Sequence, residues 1–275
     1  MKYSQIVYEK HQEIRVIKFN RPKVMNCIGP VTHNELVHAW NRFRVDKKAK
    51  VAIITGAGEK AFCAGGDLKN SPVSDNTAEI AAHNRGERAG YLGPTRWTDI
   101  YKPIIAAING LAYAGGLEWA CFADIRIAEE HATFGVTCRR WNVGLADGGT
   151  QRLPRIIGMG QAMDLIITGK VIDAREAERI GLVNQVVPKG KSLEVALEKA
   201  RFICTLPQPA IHTDKEAAIR GFGRPLEEGL RIEAECFNRS IFHPETEEGL
   251  RQFIERDHPD LKNGQANLTP GLKID

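Results

Sequence analysis

The chain has 275 residues, 43% of them hydrophobic and 26% charged, with a formal net charge of +4. These values are ordinary for a globular protein and exclude disordered and fibrous classes. Lys and Arg are spread along the chain rather than gathered in a basic stripe, which argues against a nucleic-acid partner.

In chain order, the first segment, Met1 to Lys10, lacks the apolar core of a signal peptide. Ile14 to Phe19 reads as a strand, and Leu36, Val37, Trp40 and Phe43 recur at helical spacing. Val51 to Thr55, Pro103 to Ile108 and Ile125 to Ala128 read as further strands bounded by turn residues. This alternation up to about residue 190 is the pattern of an α/β layered fold. From Ser192 the strands stop. Ser192–Thr205, Ala210–Phe222, Leu226–Phe242 and Glu245–Asp257 read as helices separated by Pro or Gly, and the tail after Pro259 is expected to be frayed or extended. Lys69 to Thr98 is polar and small, a composition that fits a binding loop and a plain surface loop equally. No run approaches the ~18 apolar residues of a membrane span. The six cysteines show neither C-x-x-C nor zinc spacing, so no metal site is expected, and reduced thiols in a cytoplasmic setting are.

Glycines and carboxylates gather in three segments. Gly56-Ala57-Gly58 has the look of a phosphate loop, but the third glycine and the G-K-[ST] ending are missing. Ala61-Phe62-Cys63-Ala64-Gly65-Gly66-Asp67-Leu68-Lys69 is a strand running into a tight turn whose backbone can approach a ligand. In Asn109-Gly110-Leu111-Ala112-Tyr113-Ala114-Gly115-Gly116-Leu117-Glu118, a helix is expected to begin near Ala114 or Gly115. The first N–H groups of a helix lack intrahelical acceptors and carry the positive end of its dipole, so they suit an anionic oxygen. Glu118 lies three residues beyond Gly115, on about the same side of that helix. One helix end thus offers an oxyanion donor and a carboxylate, although an acidic first-turn residue also favours the dipole without any catalysis. The third segment, Phe134 to Pro154, contains Asp147 before Gly148-Gly149, either as a helix cap or as a second catalytic carboxylate, with Arg139 or Arg140 as its expected ion partner.

Together these segments resemble the crotonase family, also called the enoyl-CoA hydratase/isomerase superfamily. The likeness starts at Asn20-Arg21-Pro22-Lys23-Val24-Met25-Asn26 and passes through A-F-C-A-G-G-D-L and N-G-L-A-Y-A-G-G-L-E-W-A-C-F-A-D-I-R-I-A. It continues in G-G-T-Q-R-L-P-R-I-I-G and ends in A-R-E-A-E-R-I-G-L-V-N-Q-V-V at Val187. The resemblance implies a crotonase-like spiral of ββα units with the CoA site in residues 1–195. It also implies a C-terminal helical region, 196–275, that assembles homotrimers or dimers of trimers. The implied partner is an acyl-CoA thioester of fatty acid metabolism; neither a membrane nor a cofactor beyond the substrate's own coenzyme A is expected.

Carried over by position, the oxyanion hole is the N–H pair of Gly66 and Gly115. Ala64, Gly66, Asp67, Leu68, Lys69 and Gly115 would line the thioester strip, with Arg21 and Lys23 toward the nucleotide end. Hydratases of the family hold one water between two glutamates. Glu118 matches the first, but the second maps to Cys138, because residues 136–147 keep the family's spacing. A thiol with a reference pKa of ~8.5 is a poor substitute for a carboxylate. Asp147, on a loop where other members carry a catalytic Asp, is therefore the expected partner of Glu118. Arg139, Arg140 and Trp141 would shape the acyl pocket or tune the carboxylates. Hydration of a 2-enoyl-CoA is the leading expectation. Double-bond isomerisation with Asp147, thioester hydrolysis, decarboxylation and a non-catalytic acyl-CoA-binding member are the alternatives.

Overall fold

Val51-Ala52-Ile53-Ile54 is an unbroken apolar run because the strand it forms is buried on both faces, as strands of parallel sheets are. In the computed structural model, which describes residues 1–70, 82, 85 and 89–254, the run splits by the strand's period of two. Val51 and Ile53 enter one hydrophobic core with Val16, Ile105 and Ile127. Ala52 and Ile54 enter a second core with Ile17, Phe19 and Ala106. Much of the polar stretch between Lys69 and Thr98, and the tail after Pro259, lie outside the described residues.

The main sheet has six strands: β1 (Ile6–His11), β2 (Ile14–Phe19), β3 (Val51–Gly56), β5 (Ile104–Ile108), β7 (Ile125–Glu129) and β10 (Gln185–Val187), in the order β1-β2-β3-β5-β7-β10. Only the β1/β2 hairpin is antiparallel. A second sheet holds β4 (Ala61–Cys63), β6 (Leu111–Tyr113), β8 (Thr133–Gly135) and β9 (Val171–Asp173), with β4, β6 and β8 parallel. β3, β5 and β7 are thus each followed by a short strand of the second sheet, the repeat of a spiral. α1 (Pro30–Val45) follows β2, α2 (Gly115–Phe122) follows β6, and α3 (Gly149–Thr168) follows β8 after a short 3-10 turn, Thr137–Trp141. α4 (Ala174–Arg179) precedes β10.

Between the sheets and helices lies an aromatic cluster. Trp119 packs against Phe19, Trp40 and Phe122 with ring centroids 5.4–5.8 Å apart, mostly edge-on. The helical spacing of Leu36, Trp40 and Phe43 is the contribution of α1 to this core, with Ala39, and Val37 is only half-buried. The opposite face of the sheet is covered by α5 (Ser192–Thr205), through the small Ala196 and Ala200.

That packing places α5 in the first of two compact units, Met1–Thr205 and Leu206–Asp275, so the division falls later than residue 195. Within the second unit, α6 (Gln208–Gly221), α7 (Leu226–Ile241) and α8 (Pro244–Ile254) are all helical, and large apolar side chains such as Leu226, Phe242, Phe253 and Ile254 are exposed in the single chain. Among the described residues no helix is long and apolar enough to cross a membrane.

Candidate active site

The turn after β4 is held by a single parallel bridge to Ile28. Ile28 N–H donates to Gly65 O, and Ile28 O accepts from Asp67 N–H, at 2.8 and 3.0 Å. A parallel bridge uses the residues either side of Gly66, so the Gly66 N–H points away from it. Gly65 has φ +94, a left-handed conformation that a side chain would oppose.

Arg21, expected toward the nucleotide end, and Asp67, expected on the thioester strip, are bonded to each other (2.8 Å), and Arg21 also donates to the Cys27 carbonyl. The Asn70 amide, with the Arg21 guanidinium, holds the Asp67 carboxyl below its ordinary range. This pair braces the turn, leaving Lys23, Leu68 and Lys69 exposed and Ala64 half-buried. Lys23 stands on a surface groove shared with Lys60, His131 and Lys189.

The second turn leads from β6 into α2. Ala114, its N-cap, sits at φ 50 and ψ −118. Such backbone strain in a non-glycine residue typically costs about 1–3 kcal/mol and collects at functional sites. It releases the helix start, whose first N–H is that of Gly115. Gly116 cannot carry a side chain, because a Cβ there would lie 1.8 Å from the Cys63 carbonyl oxygen of the first turn. The two turns abut: a Cβ on Gly65 would meet Gly115 N at 2.8 Å. Among the described residues, neither the Gly66 nor the Gly115 N–H has an acceptor.

One turn into α2, Glu118 is 2% exposed. Its Oε1 accepts the N–H groups of Asp147 and Gly149, each at 2.8 Å, and the Ala146 N–H also bears on the carboxyl. Burial, and then the negative charge of Asp147, push the Glu118 carboxyl up to about 7. Asp147, equally buried, accepts at Oδ1 from Tyr91 N–H (2.9 Å), Leu92 N–H (3.0 Å) and the Thr95 hydroxyl (2.5 Å), and among the described residues Oδ2 has no donor. The two carboxylates expected to cooperate are therefore brought together.

Neither Arg139 nor Arg140 pairs with Asp147, which corrects that expectation. The 3-10 turn leaves Arg140 exposed and lays the Arg139 stem against Gly169, with its Nε buried and unpartnered. The guanidinium that reaches Asp147 is Arg152, on α3, which donates to the Asp147 carbonyl (3.2 Å) and lies over the Phe122 ring. Trp141 is 70% exposed. Cys138 is buried, and burial pushes its thiol up, with the Glu118 charge adding to the effect. It is a neutral neighbour of Glu118.

Reading the residues missed Tyr91, Leu92 and Thr95. Their signal was only the turn-rich run Gly90-Tyr91-Leu92-Gly93-Pro94-Thr95 inside a stretch that otherwise reads as surface. The Leu92 side chain packs on both glycine turns: Cδ2 is 3.5 Å from the Cβ position of Gly66 and Cδ1 is 2.0 Å from that of Gly115. Its carbonyl accepts the Trp119 indole N–H at 2.9 Å.

Comparison with known proteins agrees with this architecture. The family model described as Enoyl-CoA hydratase/isomerase matches residues 9–264. A short-chain-enoyl-CoA hydratase of Clostridium acetobutylicum is 36% identical over 259 residues, covering 93% of this chain and 97% of its own. An (E)-benzylidenesuccinyl-CoA hydratase of Thauera aromatica is 36% identical over 92% of this chain and 97% of its own. The crystal structure of an enoyl-CoA hydratase from Bacillus anthracis superposes with a TM-score of 0.83 at 35% identity, covering 92% of this chain and 97% of its own. With nearly its whole length matched and the paired glycine turns in place, the chain belongs to the enoyl-CoA hydratase/isomerase family.

Proposed function

We propose that the chain hydrates the double bond of a 2-enoyl-CoA. The observation that carries this reading is the abutting pair of glycine turns, with their acceptorless N–H groups, one helical turn from a buried carboxyl raised to about 7.

In this reading the thioester oxygen sits between the Gly66 and Gly115 amides. When hydroxide adds to Cβ, the π electrons move toward that oxygen, and two fixed donors stabilise the resulting charge more in the transition state than in the ground state. One such donor is worth about 2.7–4 kcal/mol of barrier. Water lies between the Glu118 and Asp147 carboxyls. Asp147 takes the water's proton as its oxygen bonds to Cβ, and protonated Glu118 delivers a proton to Cα as the enolate collapses. The next water returns the proton from Asp147 to Glu118, and the cycle closes. A carboxyl titrating near neutrality is suited to this exchange. Cys138, neutral and buried, takes no part.

Ala64 and the Gly66 to Lys69 strip would line the thioester, with Lys23 at the surface groove toward the nucleotide and Arg21 acting through Asp67. No group beyond the substrate's own coenzyme A is needed. Six unpaired cysteines fit a reducing, cytoplasmic compartment. The exposed apolar side chains of α7 and α8 fit association into a homotrimer or a dimer of trimers.

The test follows the conjugated-thioester absorbance with crotonyl-CoA and with a 3-enoyl-CoA. Loss of the crotonyl signal is expected. Gain from the 3-enoyl substrate alone makes the enzyme an isomerase, and no change with either refutes both activities. Exchange of solvent deuterium at Cα, undiminished in Glu118→Gln, would remove Glu118 from the reaction.

A further inference from the structure

The Leu92 side chain lies against both glycine turns, and its backbone is pinned at both ends. Its N–H is held by the Asp147 carboxylate and its carbonyl by the Trp119 indole, and Asp147 also takes the N–H of Tyr91 and the hydroxyl of Thr95. These bonds fix the backbone position from which the side chain projects onto the glycines. Trp119 in turn is locked into the aromatic cluster. The two Leu92 methyls lie against the Cβ positions of Gly66 and Gly115, at 3.5 and 2.0 Å.

We propose that Leu92 is a specificity-determining residue that excludes substituents from the α-carbon of the acyl group. The proposal rests on the reading of Gly66 and Gly115 as the oxyanion pair. With the thioester oxygen on those two amides, the adjacent α-carbon is the next substrate atom along, beside the surface that the two Leu92 methyls occupy. An α-hydrogen fits against a leucine methyl; an α-methyl must share its space. A single methyl in an apolar pocket discriminates by about 10–200-fold.

The experiment compares butanoyl-CoA with 2-methylbutanoyl-CoA, which differ only by the α-methyl and need no turnover to bind. Dissociation constants are measured by calorimetry for the wild type, Leu92→Ala and Leu92→Val. The wild type is expected to favour the unbranched thioester by at least tenfold. That preference should shrink to less than threefold in Leu92→Ala, with Leu92→Val between. A preference equal in all three proteins, or none in the wild type, overturns the role of Leu92. Should the alanine variant not fold, the valine variant decides alone, and an unaltered ratio in it refutes the proposal. Crotonyl-CoA hydration by the same wild-type preparation reports on the proposed activity separately, so hydration can fail while the binding ratio shifts, and the reverse. Wild type that binds neither thioester overturns the role of Leu92.

Discussion

Glu118→Gln tests whether the carboxyl beside the glycine pair is held protonated by the fold. Gln keeps an oxygen to accept the Asp147 and Gly149 N–H groups and replaces the ionisable oxygen by an uncharged amide. Folding raises the titration of this group from its ordinary 4.5 to about 7. A group raised in this way contributes stability that is fully present below pH 4.5 and is lost as pH climbs through about 7. At about 1.4 kcal/mol per pH unit, the loss amounts to roughly 3 kcal/mol. The glutamine variant carries no such dependence. Its stability relative to wild type should therefore increase between pH 4.5 and 7 and level off above. For a domain of this size, about 2–4 °C per kcal/mol makes that roughly 6–12 °C in melting midpoint. Activity should move the other way, falling about 10²–10⁴-fold with loss of the proton donor. The assay is thermal unfolding of both proteins at pH 5, 6, 7 and 8, beside crotonyl-CoA turnover. A difference in midpoint that is flat across pH, or that turns against the variant as pH rises, would refute the argument that burial and the Asp147 charge set this carboxyl.

Other outcomes follow from the same geometry. Asp147→Asn removes the charge that ranks second to burial in raising Glu118, so the Glu118 carboxyl, followed by carbon NMR, should titrate lower but still above 4.5; no movement would show that the two do not interact. Gly115→Ala puts a Cβ 2.0 Å from Leu92 Cδ1 and should displace the turn or the leucine, with kcat falling about 10²–10³-fold through the lost donor. Gly116→Ala drives a Cβ into the Cys63 backbone carbonyl, which cannot rotate away, and should lower stability in urea by roughly 3 kcal/mol. Cys138→Ala should leave kcat/KM for crotonyl-CoA within about threefold, since a thiol raised by burial is outside the proton path; a loss beyond tenfold would place it in the reaction.

Much of this molecule is legible along the chain because its signals are local. The apolar runs Val51–Gly56 and Ile104–Ile108 must be strands buried on both sides, and Leu36, Trp40 and Phe43 must share one helix face. The helix start at Gly115 and the position of Glu118 three residues on follow from glycines and spacing alone. The three-residue strands β6, β8, β9 and β10 are too short for any period to register and exist only because the spiral supplies their partners.

The partners of Asp147 show where local reading ends. Two arginines close in sequence were natural candidates, yet the backbone of the 3-10 turn sends them elsewhere, and donors from Tyr91, Leu92 and Thr95, over fifty residues away, take the carboxylate. Composition and spacing determined by themselves the layered class and the glycine turns, since each depends on neighbours within a turn or a strand; the role expected of Glu118 came from the family resemblance. That the two glycine turns abut, what raises Glu118, and why Leu92 lies against the glycines were decided by the tertiary structure, because distance in space, burial and electrostatic coupling are properties of the folded packing and have no local pattern to read.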